Sequence, residues 1–119
     1  MRDGFAVGAM MSALQSGHAG CYTLHARSPG HAFKRIANLM GIARQVPVRD
    51  ATIATAESID FIVQIRIIHE VRRVTEIACV EKELRDGRPW CRPVFRFDVA
   101  SPADAPRWER ISVGNVGDQ

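Results

Sequence analysis

Phe61-Ile62-Val63-Gln64-Ile65-Arg66-Ile67-Ile68, followed after His69-Glu70-Val71-Arg72 by Arg73-Val74-Thr75-Glu76-Ile77-Ala78-Cys79-Val80, is the stretch whose reading decides the fold. Both runs are rich in β-branched residues, which suit a pleated and half-buried surface. The first is apolar on both faces and predicts an interior strand over 61–68. The second predicts a strand over 73–80, joined to the first by a short polar connection over 69–72. Downstream, Asp86-Gly87 is a strong turn signal. A third strand is predicted over 94–99, with Phe95, Phe97 and Val99 on one face and Arg96 and Asp98 on the other. Residues 100–106 (Ala-Ser-Pro-Ala-Asp-Ala-Pro) are linker-like, 107–113 predicts an edge strand, and the last residues predict a frayed end.

Upstream the pattern changes to helices. Residues 5–16 carry no charge and many helix formers, and Gly17 supplies a helix stop. A helix apolar on nearly all sides predicts burial on nearly all sides, by other parts of the chain or by another subunit. Residues 21–26 predict a short strand, parallel to others in the sheet. Ser28-Pro29 predicts a helix start, serine as N-cap and proline at the first helical position. Phe33, Ile36, Ala37 and Met40 recur at helical spacing opposite Lys34, Arg35 and Asn38, and Gly41 closes the element. Pro47 opens another helix over 48–58. Helices with a strand first, then strands joined by tight turns, give an α/β layout with a mixed sheet and flanking helices. No internal repeat is present.

With 119 residues the chain is one domain or part of one. A net charge of +3 is mildly basic. The densest basic stretch, 85–92, is diluted by Asp86, Gly87 and Pro89, so no long basic run argues for nucleic acid or acidic lipid. Three cysteines, odd in number and not closely paired, predict reduced thiols in a cytoplasmic protein. The start fits no signal peptide because Asp3 interrupts it and no cleavage site follows. The apolar run over 5–14 is too short to span a bilayer, so no transmembrane segment is expected.

Chemistry concentrates in Gly17-His18-Ala19-Gly20-Cys21-Tyr22-Thr23-Leu24-His25-Ala26-Arg27-Ser28-Pro29. Two histidines at either end of one strand suit hydrogen bonding to developing phosphate charge. His18, Cys21 and His25 have metal-ligand types at workable spacing, but no fourth ligand is evident and His18 falls outside the strand, so no metal is expected. His31 and His69 read as ordinary core or surface histidines.

The G-H-x-G-x-x-T-x-H-A-x-S-P pattern resembles the histidine box of the type II/type IV secretion ATPase superfamily, which includes Tad/Flp pilus-assembly and conjugation motors. Met1-Arg2-Asp3 is similar to the end of that family's metal box, and the alanine- and methionine-rich helix to Ser16 to the next element. Lys34-Arg35-Ile36, Pro47-Val48-Arg49, the 58–63 segment, Arg72-Arg73-Val74-Thr75-Glu76-Ile77 and Val94-Phe95-Arg96-Phe97-Asp98 resemble later blocks, in order. The resemblance covers about residues 1–99 and fits the Tad/Flp branch best. It implies the C-terminal portion of a RecA-like P-loop NTPase domain over 1–99, with 100–119 as a linker-like tail. By resemblance, His18 and His25 sense the γ-phosphate, and Arg2, Thr23 and Arg35 are nucleotide-associated or subunit-contact residues. An intact member uses ATP and Mg2+. It works as a homo-hexameric ring in the cytoplasm, on the inner face of the membrane, against secretion or pilus platform proteins, without direct nucleic-acid contact.

Departures from the family are equally specific. No G-x-x-x-x-G-K-[ST] occurs, so the β- and γ-phosphates have no loop to cradle them, and the catalytic carboxylates are missing too. Phe5 stands where an acidic residue is common, Cys21 where serine is common and Arg27 where asparagine is common. The expectation is therefore a partial motor domain, inactive alone and with no cofactor of its own. Two alternatives are a non-catalytic module that joins a hexameric ATPase ring and a small basic α/β protein that binds nucleic acid. An open sheet edge left by missing parallel strands also predicts oligomerisation or aggregation.

Overall fold

The computed structural model describes residues 4–111. Three helices, α1 (Gly4–Gln15), α2 (Pro29–Arg44) and α3 (Val48–Ser58), lead into four strands. These are β1 (Phe61–Ile68), β2 (Val71–Val80), β3 (Cys91–Phe97) and β4 (Trp108–Arg110). The strands form one sheet in chain order, every neighbour antiparallel. The fold is thus α/β in the broad sense, helices beside an antiparallel sheet. The sheet is not mixed, because residues 21–26 form no strand. A strand exists only through a ladder partner, and this segment pairs its backbone with no described strand.

Helix α1 ends at a Schellman cap. Gly17 has φ of 89°, its N–H donates to Leu14 O, and the His18 N–H donates to Ala13 O. The helix buries Val7, Met10 and Met11, whereas Ala9, Ser12 and Gln15 are exposed. The expectation of burial on nearly all sides fails because the outer face is built from small and polar residues that water tolerates.

Helix α2 starts as expected. The Ser28 hydroxyl accepts from the His31 N–H at 3.2 Å and Pro29 occupies the first turn. Ala32, Phe33, Ile36, Ala37 and Met40 are buried, and Lys34, Arg35 and Asn38 are exposed. Gly41 does not close the helix, which runs one turn further to Arg44. A Cβ at Gly41 would lie 3.3 Å from Val46 O and 3.6 Å from the Ala51 Cβ, so glycine there lets α3 approach. The stop is Gln45, left-handed at φ 54°, with Val46 N–H donating to Gly41 O.

The β1–β2 hairpin turns in two residues, tighter than the four-residue connection expected. Ile68 pairs with Val71, and His69 and Glu70 have φ of 53° and 64°, the signature of a type I′ turn. Asp86-Gly87 forms the same kind of turn, with φ of 51° and 74° and reciprocal bonds between Arg85 and Arg88. Thr75 is an extra residue in β2 opposite β1, and Val94 an extra one in β3 opposite β2.

Further expectations are corrected in the sheet and the loop that follows it. Strand β1 is an edge strand and not an interior one. Phe61, Val63, Ile65 and Ile67, alternate residues, are exposed, whereas Ile62 packs toward the helices. Strand β3 begins earlier and ends at Phe97, so Val99 lies beyond it. Phe95 and Val99 are exposed and only Phe97 is buried, edge-on to Trp108 at 5.3 Å and beneath the Arg73 guanidinium. The linker-like stretch is a tied loop: buried Ser101 donates to Asp98 O and accepts from the Arg107 N–H, while Arg107 pairs with Asp98 at 3.2 Å. Edge strand β4 follows, shorter than expected within the described residues.

The core has two parts. Val7, Met10, Met11, Ile36, Met40 and Ala51 bind the three helices together. Phe33, Ala37, Ala56 and Val80, flanked by Ile62 and Cys91, join the helices to the sheet.

Candidate functional site

The 25–35 region is built by donors that fix an otherwise irregular segment. Three successive carbonyls are each taken by a side chain: His25 O by Arg35 at 3.1 Å, Ala26 O by Gln64 at 3.0 Å, and Arg27 O by Arg66. Gln64 and Arg66 reach from β1 and Arg35 from the second turn of α2. Side chains thereby replace the missing ladder and satisfy backbone groups that a strand partner would have satisfied.

Beyond this segment, His31 lies at the N-terminus of α2. Its Nδ1 is 2.7 Å from Ser28 Oγ and its Nε2 is 3.3 Å from an Arg27 guanidinium nitrogen. Arginine has no acceptor, so Nε2 carries the lone pair and Nδ1–H donates to Ser28. The result is an open hollow of about 520 Å³ lined by His25, Ala26, Arg27, His31 and Arg35. No carboxylate among the described residues lines it, and the first turn of α2 adds the partial positive charge of a helix N-terminus. Two guanidinium forks and the His25 imidazole in such a place suit an oxyanion such as a phosphate, while the His31 ring, both nitrogens engaged, orients Arg27.

The residues expected to act divide accordingly. His25 and Arg35 meet in the hollow. His18 does not line it; it is exposed beyond α1, its Nδ1 3.1 Å from Ser16 Oγ. Thr23 is exposed in the connecting segment and also does not line the hollow. Arg2 lies outside the described residues. The expectation that His18 and His25 flank one strand therefore fails with the strand itself. Among the described residues, no three of His, Cys, Asp and Glu are placed to hold a metal ion.

His31, which reads in the sequence as an ordinary histidine, and Arg27, which reads there only as a departure from the family pattern, both line the hollow. The signal was present in Ser28-x-x-His31, because a residue three positions after an N-cap serine sits where it can reach back to it. A second hollow of about 590 Å³ lies between α2, α3 and the Asp86-Gly87 turn, with Lys34 and Arg49 among its lining. No helix among the described residues is long and apolar enough to cross a membrane. In comparison with models of known protein families and with curated proteins, the sequence matches none.

Proposed function

We propose that residues 1–99 form the histidine-box side of a secretion-type motor ATPase, a RecA-like domain of the Tad/Flp kind. The intact form would couple ATP hydrolysis to protein secretion, pilus assembly or conjugal transfer, as a hexameric ring at the inner membrane face. The observation that carries the reading is the convergence of His25, Arg27 and Arg35, with His31 holding Arg27, in one open hollow that no carboxylate among the described residues lines. That is the chemistry needed by a nucleotide-sensing wall, since phosphoryl transfer depends on placed positive charge and hydrogen-bond donors. The ordered blocks along the sequence support it independently.

Within this reading His25 is the sensing histidine and His18 is not part of the phosphate contact. Arg35 both faces the hollow and holds the His25 carbonyl. Mg2+ prefers oxygen ligands, so it would arrive with the nucleotide and not on these side chains. The 119 residues hold no phosphate loop, and Mg2+-dependent hydrolysis by this chain alone is not expected.

The test is an NMR titration of the full chain with ATP, with and without Mg2+, and with adenosine. The ring signals of His25 and His31 should move with ATP and stay with adenosine, while His69 serves as a silent reference. Arg27→Ala and Arg35→Ala should each weaken the effect about tenfold, the worth of one charge-assisted contact. An unmoved His25 ring at saturating ATP would sink the assignment. The apolar outer face of the sheet favours a second reading, a non-catalytic module that joins other chains.

A further inference from the structure

Strand β1 leaves one side of its backbone open. The Val80 N–H donates to Asp60 O, so the even-numbered residues of β1 point their backbone groups at β2. The odd-numbered residues Phe61, Val63, Ile65 and Ile67 therefore point theirs at the free edge, and no other backbone among the described residues bonds there. The same four residues carry the exposed apolar side chains, at 60, 50, 58 and 66% exposure. Such an edge normally carries a proline, an outward lysine or a bulge that turns it away from partners. Here there is no proline or lysine, the single charge is Arg66, and its guanidinium is engaged with Arg27 O on the helix side. The bulge residue Thr75 lies on β2, away from the free edge.

We propose that this edge pairs with the β1 edge of a second copy of the chain, antiparallel, about a two-fold axis through Gln64. The strand is self-complementary about that residue. Phe61 then faces the second copy's Ile67, Val63 its Ile65, Ile62 its Arg66, and Gln64 its counterpart. Opposed residues share a face in an antiparallel pair, so all four exposed apolar side chains find apolar partners. The odd-numbered backbone groups of both copies fall opposite one another in hydrogen-bonding pairs. Moving the axis to Ile65 places Phe61 against the turn residue His69, and moving it to Arg66 sets two like charges face to face. Only the Gln64 register uses the whole of 61–67. Two four-stranded sheets become one of eight strands. This pairing does not depend on the nucleotide reading.

Sedimentation velocity of the full chain over a hundredfold concentration range should show a dimer of the 13.2 kDa chain. Val63→Pro removes an outward N–H without touching the β1–β2 ladder, and Ile65→Lys places a charge on the pairing strip. Each should shift the protein to monomer while its far-UV circular dichroism is unchanged. Gln64→Cys in a Cys21→Ser background should cross-link the dimer under mild oxidation, and Ile62→Cys should not. A monomer across the range overturns the proposal and leaves the edge to a different chain. So does a dimer that survives both edge substitutions, or one that cross-links through Ile62→Cys and not through Gln64→Cys.

Discussion

Cysteine 91 shows how much one residue's surroundings change its chemistry. Cys21 is exposed in the irregular segment, whereas Cys91 borders the joint between helices and sheet. Burial, then the negative charge of Glu76 and the nearby Cys79, pushes the Cys91 thiol up from 9.0 to about 11. The thiolate is the nucleophile, so at pH 8 Cys91 holds roughly a hundredth of the thiolate of an ordinary thiol. Iodoacetamide at pH 8 should therefore modify Cys21 well before Cys91, read by peptide mass spectrometry. Equal labelling in the folded protein would contradict the burial. The sign for stability follows from a raised folded-state value. The neutral thiol's contribution is fully present below pH 9 and is lost as pH rises through about 11.

At the level of elements, the β1–β2 hairpin stores local strain. His69 and Glu70 both adopt positive φ without being glycine, a conformation that costs an L-residue about 1–2 kcal/mol. Asparagine and glycine are the residues this turn type favours. His69→Asn with Glu70→Gly should raise stability by about 1 kcal/mol, seen as a higher urea midpoint with an unchanged slope. An unchanged or lower midpoint would mean that the turn is not type I′. Features such as Ser28-Pro29 and Asp86-Gly87 are legible in the sequence because their signal is local: a cap hydroxyl, a fixed φ, a residue that tolerates the left-handed region. The edge position of β1 is not legible. An alternation of Phe61, Val63, Ile65 and Ile67 around Ile62 and Ile68 reports two apolar faces, but not whether a neighbour covers them. The 21–26 segment fails for the same reason, since extended residues become a strand only when their backbone pairs with another, and here side chains of β1 take the Ala26 and Arg27 carbonyls instead. The hollow at 25–35 was half legible, through His25 and Arg35. His31 joins only because the helix start folds it back onto Ser28.

Across the molecule, the helical layer and the sheet hold together through few side chains. Phe33 of α2 is the largest of them, 1% exposed, and it packs in one cluster with Val80 of β2 and Ala56 of α3. Helices α1–α3 have their own cluster around Met11 and Met40, which does not need the sheet. Truncating Phe33 to alanine removes the apolar contact and leaves a cavity at the joint, a loss of about 3–5 kcal/mol. The two tryptophans report on the sheet side only, Trp108 in β4 against Phe97 and Trp90 beneath the Arg85 guanidinium. Circular dichroism at 222 nm reports mainly on the helices. In the unmodified chain both signals should change in one coincident urea transition, the mark of a single cooperative unit. In Phe33→Ala the tryptophan and helix transitions should separate as well as move to lower urea, because each layer then unfolds on its own contacts. Coincident transitions at an unchanged midpoint would show that Phe33 is not what joins the layers, and that the backbone around Ile59 and Asp60 carries the coupling instead.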